Sequence, residues 1–309
     1  MTRLRLGAVL AVLALLAACN TGFEEVRLRI AAGSAGGVYY KLSGALAEAC
    51  RGKLGMAAPE VLETRGSPDN LNRLVRGEVD IAFSAADVAA APPDGPRRPM
   101  ALARLYNDYL HLVVNNQEAD PIEKVADLAG RRVSIGAPDS GVAVMAKRVL
   151  ETSGLSGALA PEVSYLGLGD SIEAFADEEI DAFFWSGGLP TGGIAELAAS
   201  RPIRLVDLTD VLPNLINRYP VYNAELIPAS TYQLPGSAVN TISVPNYLLA
   251  TDAMPADLAG ALVETLFDAQ PALVKANRAA IAIDIHSAIE THPVPLHPGA
   301  IRYYQARKI

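Results

Sequence analysis

Histidine, cysteine and tryptophan are scarce in this chain, at four, two and one residues in 309. The histidines, His111, His286, His292 and His297, form no H-E-x-x-H pair and stand at no metal-ligand spacing from a cysteine, so neither a zinc centre nor another metal is expected. Two cysteines make no disulfide framework. The chain has no G-x-G-x-x-G fingerprint, no P-loop lysine and no G-x-S-x-G elbow, and no cofactor is expected. Beyond the first residues no stretch reaches the ~20 unbroken apolar residues of a spanning helix. Positive charge is also short. With a formal net charge of −8 the chain offers no basic face, and nucleic acid is not an expected partner. There is no internal repeat and no low-complexity tract.

What is present begins at the first residues. Arg3 and Arg5 precede the apolar run Leu6 to Leu16, the pattern of a secretory leader. The run ends in Leu16-Ala17-Ala18-Cys19, where small residues suit a signal peptidase and the Cys19 thiol suits acylation. Residues 1–18 are therefore expected to be removed, leaving 19–25 as a lipidated tether that holds a water-soluble body at a bacterial membrane, in the periplasm. Cys50 is then left without a partner and is expected to be a buried thiol. The remaining length suits two domains with separate cores.

Along the body, strands and helices alternate. Residues 26–32 read as a strand, followed by a Gly-rich turn and a helix from Val38 to Cys50. Further strands are expected at 61–64, 80–84, 132–136, 163–166 and 180–185, with helices at 68–76, 141–152 and 171–177. Such alternation predicts an α/β fold built on a mostly parallel sheet covered on both faces. The Pro-rich stretch 91–99 interrupts the rhythm. Two apolar runs, Leu110 to Asn115 and Val239 to Leu249, read as crossover strands between two lobes. Lobe I would comprise 26–110 and 240–309, and lobe II 111–239, with a cleft between them. The last part, 255–307, reads as helices punctuated by prolines.

Two strand-to-helix turns stand out as anion sites. The first is Ala32 to Tyr40, in which Gly33, Ser34, Ala35 and Gly36 let backbone approach a ligand and Tyr39 opens the helix. The alternative is a tight turn with no ligand. The second is Gly136 to Gly141, with Asp139, Ser140 and Gly141 on the other side of the crossover, where Ser140 alone also suits a helix N-cap. One such site per lobe would clamp a carboxylate from both sides. Arg65, in Arg65-Gly66-Ser67, offers a bidentate guanidinium, or else is a solvated surface residue. Ser67, Ser84, Phe184 and Trp185 lie at or just beyond strand ends, where ligands bind in such folds, although aromatics there serve core as readily as cleft.

An enzyme reading rests on Gly169-Asp170-Ser171, which is similar to the Gly-Asp-Ser of some serine esterases, with His292 or His297 as base. Ser171 is better explained as the cap of the helix that follows, and the chain is expected not to be an enzyme.

Taken in order, Gly33-Ser34-Ala35-Gly36-Gly37-Val38-Tyr39-Tyr40, Gly66 to Leu71, Gly136 to Gly141 and Ile180 to Phe184 resemble the TAXI family, the solute receptors of tripartite ATP-independent periplasmic (TRAP) transporters. The resemblance continues through Gly188-Leu189-Pro190, Ile227-Pro228 with Tyr232, and Leu296 to Ala300. It implies a two-lobed periplasmic-binding-protein fold of type II form that closes on its ligand and delivers it to a TRAP-type membrane permease. It implies as ligand a small organic acid or an acidic amino acid, such as glutamate or 2-oxoglutarate. Gly33, Ser34, Ala35 and Tyr39 would line the cleft from one lobe, and Ser140, Gly141 and Phe184 from the other. Ala35 stands where the family commonly has Thr, and Ala85 where it commonly has Gln. Each change removes a potential hydrogen bond worth ~0.5 to 1.5 kcal/mol, so the ligand is expected to differ from glutamate. A ligand-sensing lipoprotein that reports to a membrane kinase would use the same cleft.

Overall fold

The computed structural model describes residues 22–116 and 120–309, so the expected leader and Cys19 lie outside the described residues. Three short strands, β1 (Arg29–Ala31), β2 (Glu60–Leu62) and β3 (Ile81–Ala85), form one wing of a sheet, with β1 parallel to both others. A second wing comes from β5 (Arg132–Ser134), β6 (Glu162–Ser164) and β7 (Ala182–Gly187), with β5 parallel to both neighbours.

Two long strands join the wings. β4 (Pro99–Asn115) and β10 (Val239–Thr251) lie antiparallel to each other, and β10 is antiparallel to β3 as β4 is to β7. The order β2-β1-β3-β10-β4-β7-β5-β6 thus forms one continuous sheet, with β8 (Ile203–Leu205) against β4 and β9 (Asn223–Ile227) against β10. The expectation of a mostly parallel sheet is corrected: the wings are parallel and the middle is antiparallel. Parallel neighbours need a helical crossover, whereas strands that pass directly out of one wing and back into it run in opposite directions.

β4 begins eleven residues before the expected Leu110, because a second buried apolar stretch, Ala101 to Ala103 with Leu105 and Tyr106, precedes it, and Pro99 is tolerated as a first strand residue. Pro245 interrupts β10, and the register with β4 shifts between Pro245 and Tyr247. That irregularity falls at Asn246, which is fully buried.

The helices follow from buried stripes and caps. α1 (Val38–Leu54) runs a turn past Cys50, which is buried as expected, and stops at Gly55, whose φ of 68° is the left-handed conformation glycine accepts. α2 (Ser67–Arg76) carries Pro68 in its first turn, and α3 (Ala86–Ala89) is a single turn after β3. α4 (Gly141–Thr152) has the expected bounds. α5 (Leu168–Ala176) starts at Leu168, so Ser171 lies inside the helix and does not cap it. α6 (Gly192–Ser200), α7 (Leu212–Arg218), α8 (Ala256–Asp268), α9 (Gln270–Ala276) and α10 (Pro298–Ala306) complete the helices, with Pro271 and Pro298 opening helices and not breaking them. Among the described residues, no helix is long and apolar enough to cross a membrane.

The wings have private cores: Leu42, Leu46, Phe83 and Leu262 belong to one, and Phe175, Phe183 and Ile194 to the other. A third core is shared. Leu71, Leu74 and Ala86 from the first wing pack in one cluster with Val142, Met145 and Val149 of α4. The expectation of wholly separate cores is therefore corrected, because α2 and α3 meet α4 across the crossover strands.

Candidate functional site

The first turn, after β1, divides into two parts. Gly33 is buried with φ 75°, and its N–H donates to Thr64 Oγ1 at 2.8 Å, which ties the turn to the end of β2. Ser34, Ala35 and Gly36 are exposed: the Ser34 carbonyl accepts from the Gly37 N–H at 2.9 Å, and the Ala35 N–H donates to Glu63 Oε1 at 3.0 Å. Tyr39, in the first turn of α1, points inward instead. Its ring centroid lies 5.3 Å from that of Phe83 and 6.4 Å from that of Tyr106.

Tyr39 leads to Ser67. The Tyr39 hydroxyl donates to Asn246 Oδ1, which leaves its oxygen to accept from Ser67 Oγ at 3.3 Å. Ser67 Oγ in turn accepts from the Ala85 N–H at 2.9 Å and so pins the start of α2 to the end of β3. Ser84 beside it is wholly buried and donates to the Ala85 carbonyl at 3.1 Å.

The second turn arrives from the other wing. Gly136 has φ 91°, and a Cβ there would sit 2.6 Å from Val142 Cβ, so only glycine allows the chain to fold back onto the start of α4. Ser140 is the N-cap and accepts from the Ala143 N–H at 3.2 Å. Gly141 then meets the first wing: a Cβ on it would lie 3.7 Å from Ser67 Oγ, and a Cβ on Gly66 would lie 4.0 Å from the Gly141 nitrogen. The N-termini of α1, α2 and α4 thus converge from both sides of the crossover, and each carries a positive dipole end.

Arg65 and Asp139, both expected to face a ligand, face each other across this junction at 2.8 Å, and Arg65 also lies 3.7 Å from Asp69. Phe184 is 1% exposed and packs in the shared core opposite Leu112. Trp185 is half-buried and donates from Nε1 to Thr191 Oγ1 at 3.1 Å. The structure therefore brings Tyr39, Ser67, Ser140, Gly141, Arg65 and Asp139 together, and it sets Phe184 in packing and Ser34, Ala35 and Gly36 at the surface.

Sequence reasoning missed the polar groups behind this junction. Asp108, on β4, has Oδ1 sealed from solvent without a hydrogen-bond partner, while the Asn246 amide donates to the Tyr106 carbonyl at 3.4 Å. Burial, and the nearby Asp87 carboxylate, push Asp108 up to about 7. Asp87, on α3, is itself buried and spans the wings: it pairs with Arg148 of α4 at 2.9 Å and accepts from the Tyr222 hydroxyl at 2.7 Å. Burial raises the Asp87 carboxyl above its ordinary range against the pull of Arg148. The available signal was an acidic residue inside an apolar strand and another in a helical turn between alanines. A pocket of about 540 Å³ opens beside Tyr106, between β4, the Gly188-Leu189-Pro190 turn and the 278–282 segment; none of the expected site residues lines it.

Ser171 is no nucleophile by its surroundings. It is 1% exposed and shares a hydrogen bond with Ser134 at 2.8 Å, while His297 caps α10 through the Gly299 N–H.

The model of the NMT1-like family matches residues 30–306. The chain belongs to the NMT1-like family. Several solved structures share its fold. XAC2383 from Xanthomonas citri, bound to ATP, superposes with a TM-score of 0.57 at 14% identity, covering 91% of this chain and 94% of that one. The periplasmic binding protein BugD gives 0.54 at 14% identity, covering 91% and 97%. The alkanesulfonate-binding protein SsuA from Xanthomonas axonopodis pv. citri, bound to MOPS, gives 0.50 at 19% identity, covering 91% and 84%. The architecture of this NMT1-like chain is that of a two-lobed periplasmic solute-binding protein.

Proposed function

We propose that this protein is an extracytoplasmic solute receptor, not an enzyme, that captures a small carboxylate-bearing molecule between its two lobes. The observation that carries the reading is the meeting of the α1, α2 and α4 N-termini at Tyr39, Ser67 and Gly141, which presents amide donors from both sides of the crossover strands. Lobe I comprises 26–110 with 240–309, and lobe II 111–239. A ligand that bonds both lobes favours the form in which they meet, and a membrane partner reads that form.

The spaced motifs from Gly33 to Ala300 favour the TAXI branch and a TRAP-type permease as that partner. The leader pattern ending in Cys19 favours a lipid tether in the periplasm. The test is a thermal-shift screen of the purified body, with the lipid site removed, against monocarboxylates, dicarboxylates, keto acids and amino acids. A ligand at ~100 times its dissociation constant stabilises the fold by ~2.7 kcal/mol, a readily measured rise in melting temperature. A rise with one acid class supports the reading, and no rise with any acid contradicts it.

A further inference from the structure

The pocket beside Tyr106 lies outside the junction of helix N-termini and is built by both lobes. Its volume of about 540 Å³ falls within the ~300 to 1,000 Å³ of small-molecule sites. Arg104, Tyr106 and Tyr109 of β4 form its floor, Leu189 and Pro190 of lobe II one wall, and Arg278 and Ile281 of lobe I the other. The walls nearly touch at one edge, where a Cβ on Gly188 would lie 3.4 Å from Ala279 Cβ. Tyr106 is the partition from the junction: its ring centroid lies 6.4 Å from that of Tyr39, whose hydroxyl bonds Ser67.

Both walls are held from behind. Thr191 donates from Oγ1 to the Gly188 carbonyl at 3.1 Å, and its N–H donates to the Tyr232 oxygen at 2.9 Å. Tyr232, 5% exposed, donates in turn to His111 Nε2 at 2.8 Å. On the other side Asn277 Oδ1 accepts from the Ala279 N–H at 2.9 Å, and Ala280 is fully buried. Walls fixed in this way need little ordering when a ligand enters, which favours binding.

The lining is apolar and cationic, and no carboxylate belongs to it. Ile281 leaves 58% of its surface exposed at the rim. Arg104 donates to Asn107 Oδ1 at 3.1 Å and pairs with Glu290, whose side chain is 62% exposed, so water screens that pair. Arg278 is exposed, and its guanidinium has no partner among the described residues. A guanidinium grips an anionic group through paired N–H donors, and the faces of Tyr109 and Pro190 suit a flat ring.

We infer that this pocket is a second ligand site, distinct from the junction, for an aromatic anion: its ring lies against Tyr109, Leu189 and Pro190, and its charged group meets Arg278. The site does not depend on capture of a small acid at the helix N-termini. Because lobe II supplies one wall and lobe I the other, an occupant bridges the lobes on the side of the crossover strands away from the shared core of α2 and α4.

The test measures, by calorimetry on the purified body, the binding of 3-phenylpropionate, indole-3-acetate and 2-naphthoate. Each is set beside its uncharged amide, and 3-cyclohexylpropionate serves as the non-aromatic control. The protein is used unmodified, as Arg278→Gln and as Gly141→Val. At least one aromatic acid should bind about tenfold or more tighter than its amide and than 3-cyclohexylpropionate. Arg278→Gln, a change at an exposed side chain that should leave the melting temperature unaltered, should remove most of that difference, and Gly141→Val should not change it. Amides or 3-cyclohexylpropionate that bind as tightly as the aromatic acids overturn the inference. So does undiminished binding to Arg278→Gln, or a loss in Gly141→Val as large as that in Arg278→Gln, which would put the ligand at the junction. Failure of every aromatic acid to bind overturns this site alone and leaves capture of small acids at the junction standing. Should Gly141→Val not fold, the amide pairs and Arg278→Gln decide the question.

Discussion

Arg65 Nη1 donates to Asp139 Oδ2 at 2.8 Å, and this pair ties the turn after β2 in one lobe to the turn before α4 in the other. Both side chains are more than half exposed, at 61% and 63%, so water screens the pair and its coupling is expected to stay below ~1 kcal/mol. In a double-mutant cycle of Arg65→Ala and Asp139→Ala, ligand affinity should fall no more than about fivefold. A loss of a hundredfold for Arg65→Ala alone would mean that its guanidinium grips the ligand directly, as its place in the sequence suggests.

The Asp87–Arg148 pair should behave differently, because the Asp87 side chain is fully buried. Arg148→Met leaves a carboxylate and the Tyr222 hydroxyl facing each other without a cation, and should destabilise the protein by about 3 to 5 kcal/mol in chemical denaturation. Adding Asp87→Leu should recover a large part of the loss. If Arg148→Met alone costs under ~1 kcal/mol, the pair does not hold the lobes' shared core together.

Gly136→Ala is expected to cost about 2 kcal/mol or more, from the positive φ and from the 2.6 Å approach to Val142 Cβ. The same substitution should weaken ligand binding, since the strained turn carries Ser140 and Gly141. Calorimetric unfolding and binding on one sample would check both effects.

Two groups on β4 give opposite pH responses. His111 is held neutral: Nδ1–H donates to the Tyr109 carbonyl at 2.9 Å, and Nε2 accepts from the Tyr232 hydroxyl at 2.8 Å. Burial lowers it from 6.5 to about 4, so its contribution is present above pH 6.5 and is lost as pH falls towards 4, on the order of 3 kcal/mol. His111→Gln should flatten that acid limb in equilibrium unfolding. Asp108 lies the other way: its folded value is raised from 3.8 to about 7, so stability is greatest below 4 and is lost as pH rises to 7. Asp108→Asn should therefore gain on the unmodified protein between pH 5 and 8.

Much of the fold was legible because the local signals agree. The bounds of α4 follow from Ser140 as cap and from the buried stripe Val142, Met145, Ala146, Val149, and the crossover strands show through their apolar stretches, such as Leu110 to Val114 and Tyr247 to Ala250. The antiparallel middle of the sheet was not legible, since strand direction depends on which lobe the chain enters next. Of the site, the turns at Gly33 and Gly136 were visible because glycine spacing marks sharp turns. Asp108 and Asn246 were not, for a polar residue in an apolar strand has meaning only once its neighbours from β10 and α1 are in place. Phe184 was misleading because β7 runs on to Gly187, two residues past the expected end, which leaves Phe184 inside the strand and in the shared core.

The central claim is capture of a small acid at the helix N-termini where Ser67 meets Gly141. Its most direct measurement is a calorimetric titration of the acid that most raises the melting temperature, into the unmodified protein and into Gly141→Val. One ligand per chain is expected, with at least tenfold weaker binding to Gly141→Val, whose added side chain fills the space beside Ser67 Oγ. Undiminished affinity in a folded Gly141→Val protein would contradict it, and would move the ligand away from the junction of the lobes.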